Sequence, residues 1–244
     1  MIFFSRNKKA NIDLSWLHAD MHSHLIPGID DGVQDVQSSL AMVKGLQDLG
    51  FQKIITTPHV LGEIYPNTPE TILPGLEKVR TAASTAGMIV NIHAAAEYFI
   101  DDHFQDLLLR KIPLLPISGN MVLVEFSMLT APMDLYDVIF EMQLQNYQPV
   151  IAHPERYIYL NRKKEFYDDL KNADCYFQLN LLSLTGHYGT AVQELAEYLI
   201  KMNYYNLAGT DLHGPKHLAA LQKLASSTQL HKLRDAGVLK NTLL

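Results

Sequence analysis

Seven times along this chain a short apolar or β-branched run gives way to a helical pattern, and that alternation leaves few folds open. The runs are Leu17 to His24, Lys53 to Thr57, Met88 to Ala95, Met121 to Phe126, Gln148 to Ala152, Tyr176 to Asn180 and Leu207 to Thr210. Helical patterns follow each, near Asp35, Thr68, Asp102, Met133, Lys163, Gly189 and His217. In the first of them Leu40, Val43, Leu46 and Leu49 recur every three residues and Gly50 supplies a C-terminal cap. In the second, Thr68-Pro69-Glu70 puts proline at the first helical position and a carboxylate in the first turn. Strands alternating with helices predict parallel βαβ units, and seven of them predict an α/β barrel or near-barrel. At 244 residues, 48% of them hydrophobic, the chain suits one domain, expected over residues 16–244 behind a short extension at 1–15.

The ends of these strands collect one kind of side chain. Side chains in a strand alternate faces, so Asp20, His22 and His24 share one face, as do Asp211 and His213. Strand two ends at Thr57-Pro58-His59, strand three at Ala96-Glu97, strand four at Val124-Glu125 and strand five at Ala152-His153-Pro154-Glu155-Arg156. Functional residues of a barrel sit at the C-terminal ends of its strands and in the loops beyond. With the loop residue Asp31, the donors are His22, His24, Asp31, His59, Glu97, Glu125, His153, Asp211 and His213. One ion takes about four to six ligands, so this set predicts two or three ions with shared carboxylates. Each member has a plainer reading. Glu125 could pair with Arg156 alone, His59 could close a turn after Pro58, and Asp31 could be a turn aspartate before Gly32. His18, His93, His103, His187, His217 and His231 are read as surface or core residues, with His93 sharing the parity of Glu97.

Several chemistries are excluded or disfavoured. Net charge is −6 with no basic stripe, so nucleic acid is not an expected partner. The only cysteine is Cys175, which permits no internal disulfide and points to a reducing compartment. A cysteine-based phosphatase needs an arginine six positions beyond its thiol, where this chain has Leu181. No run of apolar residues is long enough to span a membrane. The apolar residues of the N-terminus precede its charges, the reverse of a signal peptide, and a cytoplasmic protein is expected.

The stretch His22-Ser23-His24-Leu25-Ile26-Pro27-Gly28-Ile29-Asp30-Asp31-Gly32 resembles the polymerase-and-histidinol-phosphatase (PHP) superfamily. So do Thr57-Pro58-His59, Ala96-Glu97, Glu125-Phe126-Ser127, Ala152-His153-Pro154-Glu155-Arg156-Tyr157 and Asp211-Leu212-His213, all in the family's order over residues 18–214. More narrowly, they resemble the manganese-dependent bacterial tyrosine-protein phosphatases encoded with capsule and exopolysaccharide genes. The resemblance implies a distorted seven-stranded TIM-like barrel with three divalent ions. Manganese is the first choice, and iron, zinc, cobalt or magnesium would suit the same donors. It also implies that the nine donors are metal ligands and that Arg156 is the catalytic residue that binds phosphate. The implied substrate is the phosphorylated tyrosine tail of a bacterial kinase that regulates polysaccharide export. Two departures stand out. Where the family often has an arginine after the last Asp-x-His, this chain reads Gly214-Pro215-Lys216-His217, which leaves Lys216 as a point-charge substitute at the phosphate. The first fifteen residues have no counterpart.

The reaction this predicts is hydrolysis of a phosphate monoester by metal-activated water. The nearest alternative is the same chemistry on a small molecule such as histidinol phosphate or a nucleotide. A remoter one is a non-catalytic metal-binding scaffold, although such a relic should have lost ligands or Arg156.

Overall fold

The strands of this protein are short, and all pair in parallel. A computed structural model describes residues 12–244. It contains β1 (Ala19–Asp20), β2 (Lys53–Thr56), β3 (His59–Val60), β4 (Ile92–Ala94), β5 (Glu97–Phe99), β6 (Met121–Glu125), β7 (Gln148–Ala152), β8 (Tyr176–Asn180) and β9 (Leu207–Gly209). They form a three-stranded sheet, β1-β2-β4, and a six-stranded one, β3-β5-β6-β7-β8-β9. The result is one α/β domain whose parallel sheet is curled into a half-barrel.

Among the described residues the regular strands number nine, in two sheets, where the alternation predicts seven, and the breaks have local causes. Pro58 has no N–H to give a ladder, and the N–H of Thr57 turns to the Ser23 carbonyl at 2.7 Å, so β2 stops and β3 begins anew at His59. Ala95 still donates to Thr56 (2.9 Å), but Ala96 donates to Leu115, and Glu97 then donates to Pro58 (3.0 Å) as β5 starts. The first strand, expected to reach His24, is regular only over Ala19–Asp20. Beyond it the backbone is tied to the segment after β9: Asp211 N–H donates to the His22 carbonyl at 2.7 Å, and His24 N–H to the Leu212 carbonyl at 2.9 Å. These irregular strand ends carry most of the candidate ligands.

Among the described residues, eight α-helices accompany the strands: α1 (Val36–Asp48), α2 (Pro69–Thr85), α3 (Asp102–Leu109), α4 (Leu135–Leu144), α5 (Glu165–Asn172), α6 (Thr190–Lys201), α7 (Pro215–Leu221) and α8 (Thr228–Ala236). Their starts follow capping chemistry. Asp35 accepts from the Ser38 N–H ahead of α1, Thr68 and Thr71 form a reciprocal capping box ahead of α2, and Asp101 accepts from the Phe104 N–H ahead of α3. The helix expected over 217–226 is α7 plus a 3₁₀ turn, Gln222–Ser226. α8 lies beyond every helix read from the sequence.

Strand parity divides the core in two. Val122 and Val124 face outward into the large cluster shared with the helices. Leu123 turns the other way and joins Met21, Ile55, Ala95, Val150, Ala152 and Leu207 in a small separate cluster. That cluster is the apolar floor beneath the strand ends, and Glu125, two residues after Leu123, continues on the same face. Of the expected extension, residues 1–11 lie outside the described residues. Ile12 and Leu14 are buried, and Leu14 N–H donates to the Leu49 carbonyl at 2.8 Å.

Candidate metal centre

His22 and His24 project from the irregular segment after β1 with their Nε2 atoms 3.3 Å apart. Glu97, the first residue of β5, places Oε2 at 3.2 Å from His22 Nε2, 3.4 Å from His24 Nε2 and 3.1 Å from His59 Nδ1. Its other oxygen lies 3.1 Å from His153 Nε2. Glu125, the last residue of β6, puts Oε1 at 3.0 Å from His59 Nδ1. Asp211, after β9, sets Oδ1 at 3.3 Å from His22 Nε2 and 3.4 Å from His24 Nε2. Asp31 sits at the rim, with Oδ1 3.4 Å from His59 Nε2 and 3.3 Å from His213 Nε2. All nine side chains singled out from the sequence thus converge. They form four overlapping groups, each with one donor atom per residue within 4.8 Å, and His22, His24, His59 and Glu97 each belong to two of them.

Further residues aim these donors. Gln178 Oε1 accepts from His22 Nδ1 at 3.1 Å, which leaves Nε2 with its lone pair toward the centre. Asp30 Oδ2 does the same for His24 at 2.8 Å, while its Oδ1 accepts from Gly32 N–H. Asn180 donates to Asp211 Oδ2 at 2.8 Å, and Arg156 Nη1 donates to the same oxygen at 2.9 Å. Backbone close to the donors leaves no room for side chains: a Cβ on Gly32 would stand 2.3 Å from the His24 carbonyl oxygen, and one on Gly209 2.7 Å from His22 Cβ. Two of the donors, His153 (φ 34°) and Asp211 (φ 51°), occupy the left-handed region that side chains disfavour. Such strain persists where surroundings enforce it, and it commonly marks functional positions.

The cluster's electrostatics fit cations. Burial disfavours charge on His22, yet the carboxylates of Glu97 and Asp211 raise its pKa above the ordinary histidine value. For His24, burial and His59 oppose protonation, but the carboxylates of Asp211, Asp30 and Glu97 prevail and lift it well above that value. His59, burial notwithstanding, is also raised, chiefly by Glu97. Burial works against the Glu97 and Asp211 carboxylates too, but both are held well below the usual range, with His22 the strongest attraction in each case. Without cations, protons on imidazoles must balance the four carboxylates. Glu97 Oε2 and His153 Nδ1 are nevertheless buried and make no hydrogen bond. A carboxylate oxygen among three imidazole nitrogens with no hydrogen bond is what a bound divalent ion would satisfy, and the donor types suit such an ion.

Above the cluster is an open cavity of about 460 Å³, lined by six of the donors together with Arg156, Tyr188 and His217. Lys216 is exposed at the start of α7 and absent from this lining; His217 takes the place beside the site instead. Lys216 and His217 are consecutive in α7 and so lie about 100° apart around the helix, and a charge near the motif does not guarantee a charge at the site. Spacing singled out the candidate ligands but not Gln178, Asn180, Asp30, Tyr188 or His217. Gln178 and Asn180 share a face at the end of β8, a parity legible in the sequence, but uncharged amides do not advertise a role. His93 points elsewhere, bonded to Asn91 at 2.8 Å.

Residues 18–235 match the family described as capsular polysaccharide synthesis, CpsB/CapC. The chain is 26% identical over 215 residues to the tyrosine-protein phosphatase CpsB of Streptococcus agalactiae, covering 84% of this chain and 88% of that one. It is 25% identical over 197 residues to the tyrosine-protein phosphatase YwqE of Bacillus subtilis, covering 81% and 78%. In fold it is similar to the solved structures of YwqE from Bacillus subtilis and CpsB from Streptococcus pneumoniae, described as unique metal-dependent tyrosine phosphatases. That match has a TM-score of 0.77 at 24% identity over 91% of this chain and 94% of the other.

Proposed function

The chain belongs to the capsular polysaccharide synthesis CpsB/CapC family, and from that premise we propose that it is a metal-dependent phosphatase acting on phosphotyrosine in proteins. The observation that carries the reading is Glu97 Oε2, which is buried, without a hydrogen bond, and ringed by the nitrogens of His22, His24 and His59. We assign all nine donors as the residues that would hold three divalent ions, manganese first. The finer fold reading that accompanies this is a barrel of seven strand lines, β2–β3 and β4–β5 each being one strand interrupted.

Divalent ions held there would supply Lewis-acid charge and bring the pKa of water toward about 7. The protein's own groups do the rest. Gln178 and Asp30 fix the faces that His22 and His24 present. Arg156 is held by Asp211 with its guanidinium lining the cavity, where its remaining N–H groups can grip phosphate oxygens. Water adds to phosphorus as the bond to the phenol oxygen breaks, and that oxygen leaves as a phenolate which takes its proton from solvent. A phenol of pKa about 10 leaves with less acid assistance than an alkyl alcohol needs. We place the substrate on the tyrosine-rich tail of a bacterial kinase that regulates polysaccharide export, and the reaction in the cytoplasm. No helix among the described residues is long and apolar enough to cross a membrane, which is compatible with that placement.

Hydrolysis of p-nitrophenyl phosphate, measured with EDTA and with added Mn²⁺, tests the reaction class. Metal-dependent release is expected, and its absence would leave the scaffold reading. A phosphotyrosyl peptide against histidinol phosphate then tests the substrate class. Faster turnover of the small ester would overturn the assignment to proteins.

A further inference from the structure

Arg156 is held on more sides than its contact with Asp211 alone provides. Its Cζ lies 4.6 Å from the centre of the Tyr188 ring, within cation–π range. The Tyr188 hydroxyl accepts from Asn180 Nδ2 at 3.2 Å, and the same amide donates to Asp211 Oδ2 at 2.8 Å. Asp211 Oδ2 in turn accepts from Arg156 Nη1 at 2.9 Å. Arginine, aspartate, asparagine and tyrosine thus form a closed circuit, three links of it hydrogen bonds and the fourth a stacked guanidinium.

The backbone around Tyr188 is built to present it. Gly186 (φ 72°) and Gly189 (φ 92°) both lie in the left-handed region, and Gly189 N–H closes back on the Gly186 carbonyl at 3.0 Å. This tight turn, joining the 3₁₀ segment Leu181–Thr185 to α6, carries the ring to the wall of the cavity. An exposed arginine has several rotatable bonds and would lose much entropy on gripping a phosphate. One already stacked and bonded has given up that freedom during folding.

We propose that Tyr188 and Asn180 are positioning residues that hold the Arg156 guanidinium pre-aligned for the phosphate of the substrate. This rests on the reading of Arg156 as the phosphate-binding residue. The tyrosine supplies the flat face that sets the guanidinium plane. The asparagine ties that face to Asp211, so the arginine is registered against the metal ligands.

The test is a double-mutant cycle on the manganese-loaded full chain, read by calorimetric binding of inorganic phosphate and by KM and kcat for p-nitrophenyl phosphate. Tyr188→Leu should weaken phosphate binding and raise KM about three- to thirtyfold, the range a desolvated cation–π contact covers. Tyr188→Phe, which keeps the ring, should recover most of that loss. In an Arg156→Ala background, Tyr188→Leu should cost nothing further, because the group it positions is gone. Manganese content should be the same in all five proteins. Unchanged phosphate affinity in Tyr188→Leu, or an equal loss on the Arg156→Ala background, would overturn the proposal while leaving the phosphatase reading intact. A wild-type protein that neither binds phosphate nor turns over the ester would remove both.

Discussion

Asp30 is kept out of the cavity, yet three groups lean on its carboxylate: His24 Nδ1 at 2.8 Å, the Gly32 N–H at 3.0 Å and the His59 N–H at 3.2 Å. Second-layer partners of this kind commonly change metal affinity by about 10- to 100-fold. Asp30→Asn should therefore weaken manganese binding by that order in a calorimetric titration, with the fold retained. Arg156→Ala should behave in the opposite way, lowering kcat for p-nitrophenyl phosphate about 100- to 1,000-fold at unchanged metal content. Unchanged turnover in that variant would take the arginine out of the mechanism. At this scale the sequence is most readable where charge and parity coincide. His22 with His24, and Asp211 with His213, announce themselves because ligand-type side chains repeat every second residue at a strand end. Gln178 and Asn180 have the same parity but no charge, and their role exists only in relation to His22 and Asp211, which are distant in the chain. Lys216 shows the converse, since its charge sits near the motif while its side chain is exposed and not part of the cavity lining.

Most helices were legible because they carry their own signals. α3 spans Asp102–Leu109, the range its sequence indicates, and α1 and α2 begin at their capping residues. α2 buries Ile72, Leu76, Val79 and Ala83 along one face despite Pro74 in its second turn. Leu76→Ala should destabilise the protein by about 2–5 kcal/mol, seen as a lower denaturation midpoint, while the folded fraction keeps its turnover per bound metal. Loss of turnover without loss of stability would mean that α2 reaches the site. Strand ends were less legible, because a strand's regularity is decided by its neighbour. Nothing in Thr56-Thr57-Pro58 alone says that Thr57 will donate to Ser23 rather than continue a ladder. Likewise, nothing in Leu17 to His24 says that only Ala19–Asp20 will pair regularly. α8 escapes the sequence reading because its buried face is short, Leu230 and Leu233 alone, although Ser227 and Gly237 cap its two ends.

Taken as a whole, the molecule gathers four carboxylates and five imidazoles over an apolar floor and leaves protons to balance them when cations are absent. His24 and His59 have folded-state pKa values raised above the ordinary histidine value of about 6.5. Their contribution to the stability of the metal-free protein is complete below that value and is lost as pH rises through the raised ones. Divalent ions compete with those protons, so Mn²⁺ should raise the melting temperature more at pH 8 than at pH 6, with protons released on binding. An equal or larger gain at pH 6 would mean that the ions bind elsewhere. Elemental analysis of the manganese-loaded protein beside its Glu97→Gln variant tests most directly whether the nine donors hold metal. Three ions per chain are expected in the first, as nine donors at about four to six ligands per ion allow once carboxylates and waters are shared, and a clear loss in the second. One ion or none in the wild type, or the same content in both proteins, would contradict that assignment.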